Sequence, residues 1–514
     1  MHLTQLLHKA VQQQPHQPLT VYGARHRTAG QVAERVARLA GGLREQGVAP
    51  GDRVCILAFN SDRYFEAVMA TWWIGGVVTL LNCRWSLREV ADAVADAGSR
   101  CLLVDEDCMP LIADLDGPVI VHLGDGTAPA GTVGYEDLIA TAPAVEDVRA
   151  HGDTLAALIY TGGTTGAAKA AMHSHRSLST ALLGSMGYAR SSEPDGATLV
   201  MAPVFHIAAL LGMMAQTLVG GTLVFANRFE PDEVLQLLGR HRVTTMTSTP
   251  GMLQLLYTHP SFPAADVTSL TTIVYGAAPM PEAVLTRAMA AFPNAQFVQG
   301  YGMTETAVIA SLLGATHRLG GPRLKSAGRA TLHVQIIIAD EDGNEVPRGA
   351  VGEILTRGDN IMLGYWNRPE ETAAALRGGW LHTGDLAYMD DEGYIFIVDR
   401  AKDMIITGGE NVYSTEVENV LSHHPAVLRC AVIGVPDEQW GERVHAIIVP
   451  QPGQTVAVEE IREHVKTRLA GFKAPRTIEL VQALATTATG KIDKRALRQH
   501  TLEQPTDIGR GDFP

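Results

Sequence analysis

The chain has 514 residues, of which 46% are hydrophobic and 19% are charged, a composition typical of a globular protein with buried cores. Its length predicts more than one domain. The formal net charge of −14 argues against a general nucleic-acid-binding protein, which would need a basic surface, but leaves room for a local basic site that binds phosphates.

Neither the cysteine spacing nor the N-terminal segment indicates a disulfide-bonded or membrane-inserted protein. The five cysteines show neither CxxC nor zinc-finger spacing, so we expect reduced core thiols. The apolar run near the N-terminus is too short for a signal peptide. A second apolar stretch, 207–226, approaches the roughly 20 residues of a membrane span, but Gly220 and Gly221 interrupt it. It predicts a buried helix and a buried strand in a cytoplasmic protein without a transmembrane segment.

Helical periodicity alternates with short apolar strands over the first 330 residues or so. The predicted helices are Ala33–Gln46 and Asn60–Gly75, and the predicted strands are Asp52–Ala58, Gly76–Leu81, Cys101–Val104, Val119–Leu123, Leu155–Tyr160, Thr222–Phe225 and Thr272–Tyr275. Such alternation favours an α/β fold in which helices cover parallel sheets.

The pattern changes near residue 330. Short strands with Asp/Gly turns between them predict a β-rich subdomain over about 330–400: Val334–Ala339, Glu353–Thr356 and Ile395–Val398. Beyond it the pattern is mixed α+β, with helices Ser414–Ser422 and Val458–Leu469 and strands Leu428–Gly434 and Val444–Pro450. We therefore expect a large N-terminal domain over 1–400 and a small, mobile C-terminal domain over 401–514, with a mobile tail from about residue 499.

The segment Tyr160–Ala170, YTGGTTGAAKA, has the composition of a phosphate-binding loop. Glycines allow backbone N–H groups to converge on an anion, threonines add hydroxyl donors, and Lys169 adds a positive charge. The segment does not fit the Walker A pattern. Taken alone, it is also compatible with a flexible surface turn.

This loop resembles that of the adenylate-forming superfamily, which includes acyl-CoA synthetases, luciferases and peptide-synthetase adenylation domains. Further motifs follow in the family's order and spacing: Ala202–His206, Tyr275–Pro279, Gln299–Thr306, His382–Leu386, Asp399–Ile405, Gly408–Tyr413 and Thr489–Lys491. The resemblance thus covers nearly the whole chain, and it implies an ATP-dependent acyl-CoA ligase that forms an acyl-adenylate.

The resemblance implies a nucleotide site with Mg²⁺ bound at Glu305, a hard oxygen ligand. Tyr301 would stack on adenine, and Asp385 and Arg400 would contact the ribose. The implied ATP and AMP contacts are Thr161, Gly162, Gly163, Thr164, Thr165, Gly166, Lys169, Gly276, Ala277, Ala278, Gly300, Tyr301, Gly302, Met303, Thr304, Asp385, Arg400 and Lys491.

Catalysis is implied for Lys491, Lys169, Glu305 and His206. Lys491 would contact the carboxylate and the α-phosphate, where negative charge develops. Lys402 matches the hinge about which the small domain rotates between half-reactions. Gly408, Gly409 and Glu410 would then line the path of the coenzyme A arm.

The acyl pocket is implied at His206, Ala208, Gly212, Tyr275, Gly276, Gly300 and Val308. These residues are mostly small or apolar, which suits an uncharged medium- or long-chain aliphatic acid or an aryl acid. No arginine occurs among them, which disfavours a dicarboxylate. His206 stands where amino-acid-activating domains have an aspartate, which disfavours an amino acid.

The chain departs from the family pattern in the loop, with Gly163 for serine, Ala168 for proline and Ala170 for glycine. We expect ATP binding to survive with an altered KM. Two alternatives stay open: an adenylating enzyme that loads a carrier protein, and a non-catalytic nucleotide-binding relative. A homodimer is plausible for this family.

Overall fold

A computed structural model describes residues 1–113, 115–161, 168–189, 191–454, 457–487 and 491–503. The helices are α1 Gln5–Gln13, α2 Ala29–Glu45, α3 Asp62–Trp73, α4 Leu87–Ala97, α5 Tyr135–Thr141, α6 His175–Ala189, α7 Ile207–Val219, α8 Pro231–Arg240, α9 Pro250–Tyr257, α10 Glu282–Ala291, α11 Gly314–Leu319, α12 Pro369–Ala375, α13 Ser414–Ser422, α14 Val458–Lys466 and α15 Lys494–Glu503.

The strands are β1 Pro18–Tyr22, β2 Arg25–Thr28, β3 Arg53–Leu57, β4 Val77–Leu80, β5 Cys101–Val104, β6 Val119–His122, β7 Val133–Gly134, β8 Leu155–Thr161, β9 Lys169–Ser174, β10 Ala197–Val200, β11 Thr222–Phe225, β12 Thr245–Ser248, β13 Thr272–Gly276, β14 Gln296–Met303, β15 Ala307–Leu312, β16 Arg329–Ala330, β17 Gln335–Ala339, β18 Gly352–Arg357, β19 Gly364–Tyr365, β20 Leu381–Met389, β21 Ile395–Arg400, β22 Ile405–Thr407, β23 Glu410–Val412, β24 Val427–Asp437, β25 Gly441–Pro450 and β26 Thr477–Leu480.

Two large, mostly parallel sheets form the first part of the chain within these ranges. One has the order β16-β15-β14-β13-β12-β10-β11-β1-β2, and the other has the order β19-β9-β8-β4-β3-β5-β6-β7. The pairs from β10 to β14 are parallel, whereas β15 returns antiparallel to β14. Helices α1, α2, α3, α6 and α7 contribute to one large core with strands of both sheets. The predicted parallel, helix-covered sheets are confirmed.

The later part of the chain holds two antiparallel-rich sheets. Strands β17, β18, β20 and β21 form the β-rich sheet predicted over 330–400. Strands β22 to β26 form another sheet, which packs with α13 and α14 around a separate core. The chain therefore has a large N-terminal part and a small C-terminal part. The exact boundary at residue 400 stays a prediction, and the tail beyond Glu503 lies outside the described residues.

The apolar stretch 207–226 forms α7 and β11, as predicted. Gly220 ends the helix with φ of 81°, a left-handed conformation that favours glycine. In the part of the chain that the structure describes, no helix is both long and apolar enough to cross a membrane.

Some predicted bounds were wrong where caps decide them. Helix α2 begins at Ala29, four residues before the predicted start, because Thr28 and Gln31 form a capping box. Helix α14 ends at Lys466 instead of Leu469.

Candidate active site

The predicted nucleotide residues converge from separate strands. Asp385 on β20 lies opposite Arg400 on β21 in the strand register. The Arg400 Nε donates to Asp385 Oδ1 at 2.9 Å, and the Tyr301 hydroxyl, from β14, donates to Asp385 Oδ2 at 2.7 Å. Asp385 is therefore a buried carboxylate held between a cation and a phenol.

Glu305 lies in the turn between β14 and β15 and is 6% exposed. Its Oε1 accepts a hydrogen bond from the Tyr365 hydroxyl at 2.7 Å. Burial raises the pKa of the Glu305 carboxyl, although Tyr365 and Arg400 act in the opposite direction. A buried carboxylate destabilised in this way is suited to a nearby cation.

The turn that carries Glu305 is fixed by backbone contacts from two neighbouring segments. The Met362 N–H donates to the Glu305 carbonyl at 2.9 Å. His173 Nε2 donates to the Thr304 carbonyl at 2.7 Å, and burial lowers the pKa of His173 to about 4, so the ring is neutral. Sequence reasoning missed His173 and Tyr365, because only the fold brings them to Glu305. His173 lies on β9, the strand that follows the predicted phosphate loop.

Lys491 reaches this site from the last described segment of the chain. Burial, followed by the positive charge of Arg400, lowers the Lys491 pKa to about 8, whereas Asp385 and Glu305 act to raise it. Lys491 also acts on His206: burial, and then the charges of Lys491 and Arg84, lower the His206 pKa to about 3. Lys491 therefore lies within electrostatic range of Asp385 and Glu305 and also of His206.

One face of β12, β13 and β14 in the nine-stranded sheet carries small and medium side chains. Thr247 on β12 lies opposite Val274 on β13, and Gly276 on β13 lies opposite Gly300 on β14. A Cβ placed on Gly300 would contact Val308 on β15 at 3.5 Å. A Cβ on Gly212, in α7, would lie 3.5 Å from the Thr247 hydroxyl, so α7 covers this face, with Ala208 exposed on its first turn.

Tyr275 does not present its side chain to that face. The ring points to the other side of β13, where it packs edge-on against Phe297 and His317 in a second core. Its hydroxyl lies 2.8 Å from His317 Nε2. The placement of Tyr275 among the pocket-lining residues is therefore corrected: side chains alternate along a strand, and Val274 and Gly276 hold the pocket side.

Two glycines are required by close backbone approach. A Cβ on Gly276 would overlap the Gly300 carbonyl, and a Cβ on Gly302 would overlap the Ala307 carbonyl. Ala277, with φ of 65°, adopts a left-handed conformation uncommon for alanine at the end of β13. Ala278 lies two residues after the end of β13, and Met303 is the last residue of β14.

The predicted phosphate loop is described only at its ends. Thr161 and Lys169 face each other across β8 and β9, and the Thr161 hydroxyl donates to the Lys169 carbonyl at 3.2 Å. Lys169 Nζ lies 5.5 Å from the centre of the ring of Tyr365, the residue whose hydroxyl donates to Glu305. Among the predicted site residues, Gly162, Gly163, Thr164, Thr165 and Gly166 lie outside the described residues, as do Thr489 and Gly490 of the Lys491 motif.

The predicted hinge and thiol-path residues lie just after β21. Burial and the charge of Arg400 lower the Lys402 pKa. Gly408 and Gly409 form the turn between β22 and β23 with φ of 60° and 84°, and Glu410 begins β23. The Gly408 N–H donates to the Trp440 carbonyl at 2.8 Å.

Comparison with known proteins gives a consistent result over nearly the whole chain. The model of the AMP-binding enzyme family matches residues 7–366, and the model of the AMP-binding enzyme C-terminal domain matches residues 416–491. A feruloyl-CoA synthase from an Amycolatopsis species is 39% identical over 94% of this chain and 96% of its own length.

Two further relatives differ in their acceptor. A fatty acid–[acyl-carrier-protein] ligase from Streptomyces coeruleorubidus, ScoC, is 36% identical over 95% of this chain and 94% of its own length. Among solved structures, the anthranilate CoA ligase AuaEII in complex with anthranoyl-AMP superposes with a TM-score of 0.90 at 26% identity, over 97% of both chains.

Proposed function

The chain belongs to the AMP-binding enzyme family, and on that premise we propose that it is an AMP-forming acid–thiol ligase for an uncharged aryl or aliphatic acid. A carboxylate oxygen attacks the α-phosphorus of ATP, and diphosphate leaves. The thiol of coenzyme A then attacks the acyl carbonyl carbon, and AMP leaves. The observation that carries the proposal is that Lys491 lies within electrostatic range of Asp385, Glu305 and His206.

Asp385 holds the nucleoside in this proposal. Its two oxygens already orient toward Tyr301 and Arg400, and a carboxylate can accept from both ribose hydroxyls. Tyr301 offers a ring face for adenine. A Cβ at Gly276 would overlap the Gly300 carbonyl, so the backbones of β13 and β14 lie against each other there and glycine is required.

Lys491 and Lys169 supply positive charge next to the phosphates of ATP. Phosphoryl transfer depends on positioning and charge neutralisation more than on covalent help from the protein. Glu305 fits a Mg²⁺ ion, because it is a buried carboxylate whose ionised form lacks a full counter-charge. When bound, Mg²⁺ would neutralise charge on the triphosphate.

The second half-reaction requires Lys491 to leave and the thiol to enter. Lys402 lies two residues after the end of β21, where a rotation of the small part can be absorbed. Gly408 and Gly409 have no side chains to block a narrow pantetheine arm. His206, neutral and with Nε2 lacking a partner among the described residues, borders the carboxylate and the thiol path.

A panel of acids tests this function. We expect diphosphate release from Mg-ATP that requires an acid, and AMP and thioester formation that require coenzyme A as well. The panel holds octanoate, palmitate, benzoate, cinnamate and 4-hydroxycinnamate, each with and without coenzyme A. Failure of every acid, despite measurable ATP binding, would favour the non-catalytic alternative.

The likeness to ScoC favours one second candidate, transfer to a carrier protein. It is distinguished by the acceptor. Acid-dependent diphosphate release that ignores coenzyme A, followed by acylation of an added phosphopantetheine carrier protein, would support carrier loading. Thioester formation with free coenzyme A at a comparable or faster rate would contradict it.

The pH profile should report Lys491. The lysine acts in its charged form, which predominates below its pKa of about 8. We therefore expect kcat/KM for adenylation to fall about tenfold per pH unit above pH 8, since this parameter reports the free enzyme. Bound ATP adds negative charge that raises the lysine pKa, so kcat should fall only at higher pH. Profiles for kcat and kcat/KM that coincide would contradict this assignment.

A further inference from the structure

A chain of hydrogen-bonded side chains joins the small C-terminal part to β21. The Ser414 N–H, at the first residue of α13, donates to Asp399 Oδ2 at 2.5 Å, and the Ser414 hydroxyl donates to the same oxygen at 2.7 Å. Lys494 Nζ, at the first residue of α15, donates to the Ser414 hydroxyl oxygen at 2.6 Å. Asp399 and Ser414 are both buried, so water competes little for these contacts.

Lys494 is also held by charge. Its Nζ lies 2.7 Å from Glu418 Oε1 on α13, and the same oxygen accepts from the Val432 N–H on β24 at 2.8 Å. Burial acts to lower the pKa of Lys494, but the charges of Glu418 and Asp399 outweigh it and raise the pKa, so the ammonium stays protonated. The start of α15 is therefore tied to α13 and, through Ser414, to Asp399.

The same tie reaches Lys491. Lys491 lies three residues before Lys494, which is a span of at most about 10 Å. Residues 491–493 pair antiparallel with residues 485–487 just before α15 begins. Because the connection is short and paired, fixing Lys494 limits how far the backbone of Lys491 can move.

These contacts cross the predicted hinge. Asp399 precedes Lys402, whereas Ser414 and Lys494 follow it. A rotation about Lys402 would carry the later residues along together and leave Asp399 on β21. The hydrogen bonds from Ser414 to Asp399 therefore belong to the orientation in which Lys491 lies within electrostatic range of the nucleotide-site carboxylates.

We propose that Ser414 and Lys494 are positioning residues that fasten the small part to Asp399 and so hold it in the orientation for adenylation. The contacts to Asp399 then place Lys491 for the attack on ATP, and they open before the coenzyme A thiol enters. This inference rests on the proposed function, in which Lys491 acts in the first half-reaction and leaves before the second.

The test measures the two half-reactions of Ser414→Ala separately. The variant removes one hydrogen bond to the Asp399 carboxylate, and a hydrogen bond to a charged group corresponds to about 10–10²-fold. We expect single-turnover diphosphate release to slow by about tenfold or more, and thioester formation from a prepared acyl-adenylate to keep at least the unmodified rate. Lys494→Gln should act in the same direction, and Lys494→Arg, which keeps the charge, should restore part of the adenylation rate.

Ser422→Ala is the matched control, because Ser422 lies on the same helix and its hydroxyl donates to the Asn419 carbonyl within that helix. It should leave both half-reactions unchanged. Adenylation at the unmodified rate in Ser414→Ala, or equal losses in both half-reactions, would overturn the inference and leave the ligase function intact. Failure of the unmodified enzyme to release diphosphate with any acid would instead remove the ligase function on which the inference rests.

Hydrogen–deuterium exchange of the unmodified enzyme tests the same inference without a variant. The Ser414 N–H lies in the first turn of α13, so it has no intrahelical acceptor once it leaves Asp399. We expect the peptide that begins α13 to exchange more slowly with ATP bound than with coenzyme A and an acyl-sulfamoyl adenosine, a non-reactive mimic of the acyl-adenylate. Equal or reversed protection would overturn the inference.

Discussion

Replacement of Lys491 by alanine is expected to slow acyl-adenylate formation by about 10²–10³-fold, the range for losing one preorganised group that stabilises transition-state charge. The partly buried lysine lies within electrostatic range of Arg400, Asp385 and Glu305, and a water molecule in its place would not supply a fixed positive charge. In the proposed mechanism, its loss removes positive charge at the α-phosphate during attack, when negative charge is greatest. Binding of ATP should weaken much less.

The second half-reaction separates this role from a general structural effect. Lys491→Ala should still convert a chemically prepared acyl-adenylate and coenzyme A into thioester at nearly the unmodified rate, because in the proposed mechanism the lysine leaves the site before the thiol enters. Single-turnover measurements of diphosphate release and of thioester formation read the two steps. Lys325→Ala, at a side chain that is 65% exposed, is the matched control. Equal losses in both half-reactions would contradict the assignment.

Much of the fold could be predicted from local pattern. The interruption of the apolar stretch 207–226 at Gly220 separated α7 from β11 correctly, and Ser414–Ser422 is a helix with the predicted bounds. Periodicity works here because each element buries one face, or is buried throughout, against the sheets. Helix ends were less accurate, since a cap such as Thr28 adds a turn that carries little apolar pattern.

The site was predictable only where residues lie in contiguous motifs. Asp385, Arg400 and Glu305 were singled out in this way, and the fold pairs Asp385 with Arg400 and brings Glu305 within electrostatic range of both. Their roles stay predictions. Tyr365 and His173 were missed because their partners, Glu305 and the Thr304 carbonyl, are distant in sequence. Tyr275 was assigned to the wrong face because its motif gives its position along β13 but not the direction of its side chain.

Asp385 should show a different kinetic signature from Lys491, because it lies on β20 and does not depend on how the small part is oriented. Asp385→Ala removes a carboxylate that can accept two charge-assisted hydrogen bonds from ribose, each contributing about 1.5–3 kcal/mol. We expect kcat/KM for ATP to fall roughly 10²–10⁴-fold, and the acyl-adenylate to bind more weakly in the second half-reaction as well.

The same two half-reactions are therefore measured, adenylation at varied ATP concentration and thioester formation at varied acyl-adenylate concentration. The variant also leaves Arg400 and the Tyr301 hydroxyl without their carboxylate partner, so thermal unfolding must be followed alongside the kinetics. Asp359→Ala, at an exposed carboxylate, controls for the change in net charge. A nucleoside-binding role requires both half-reactions to lose affinity together in a folded protein. A loss confined to adenylation would instead place Asp385 with Lys491, acting through its charge on the lysine.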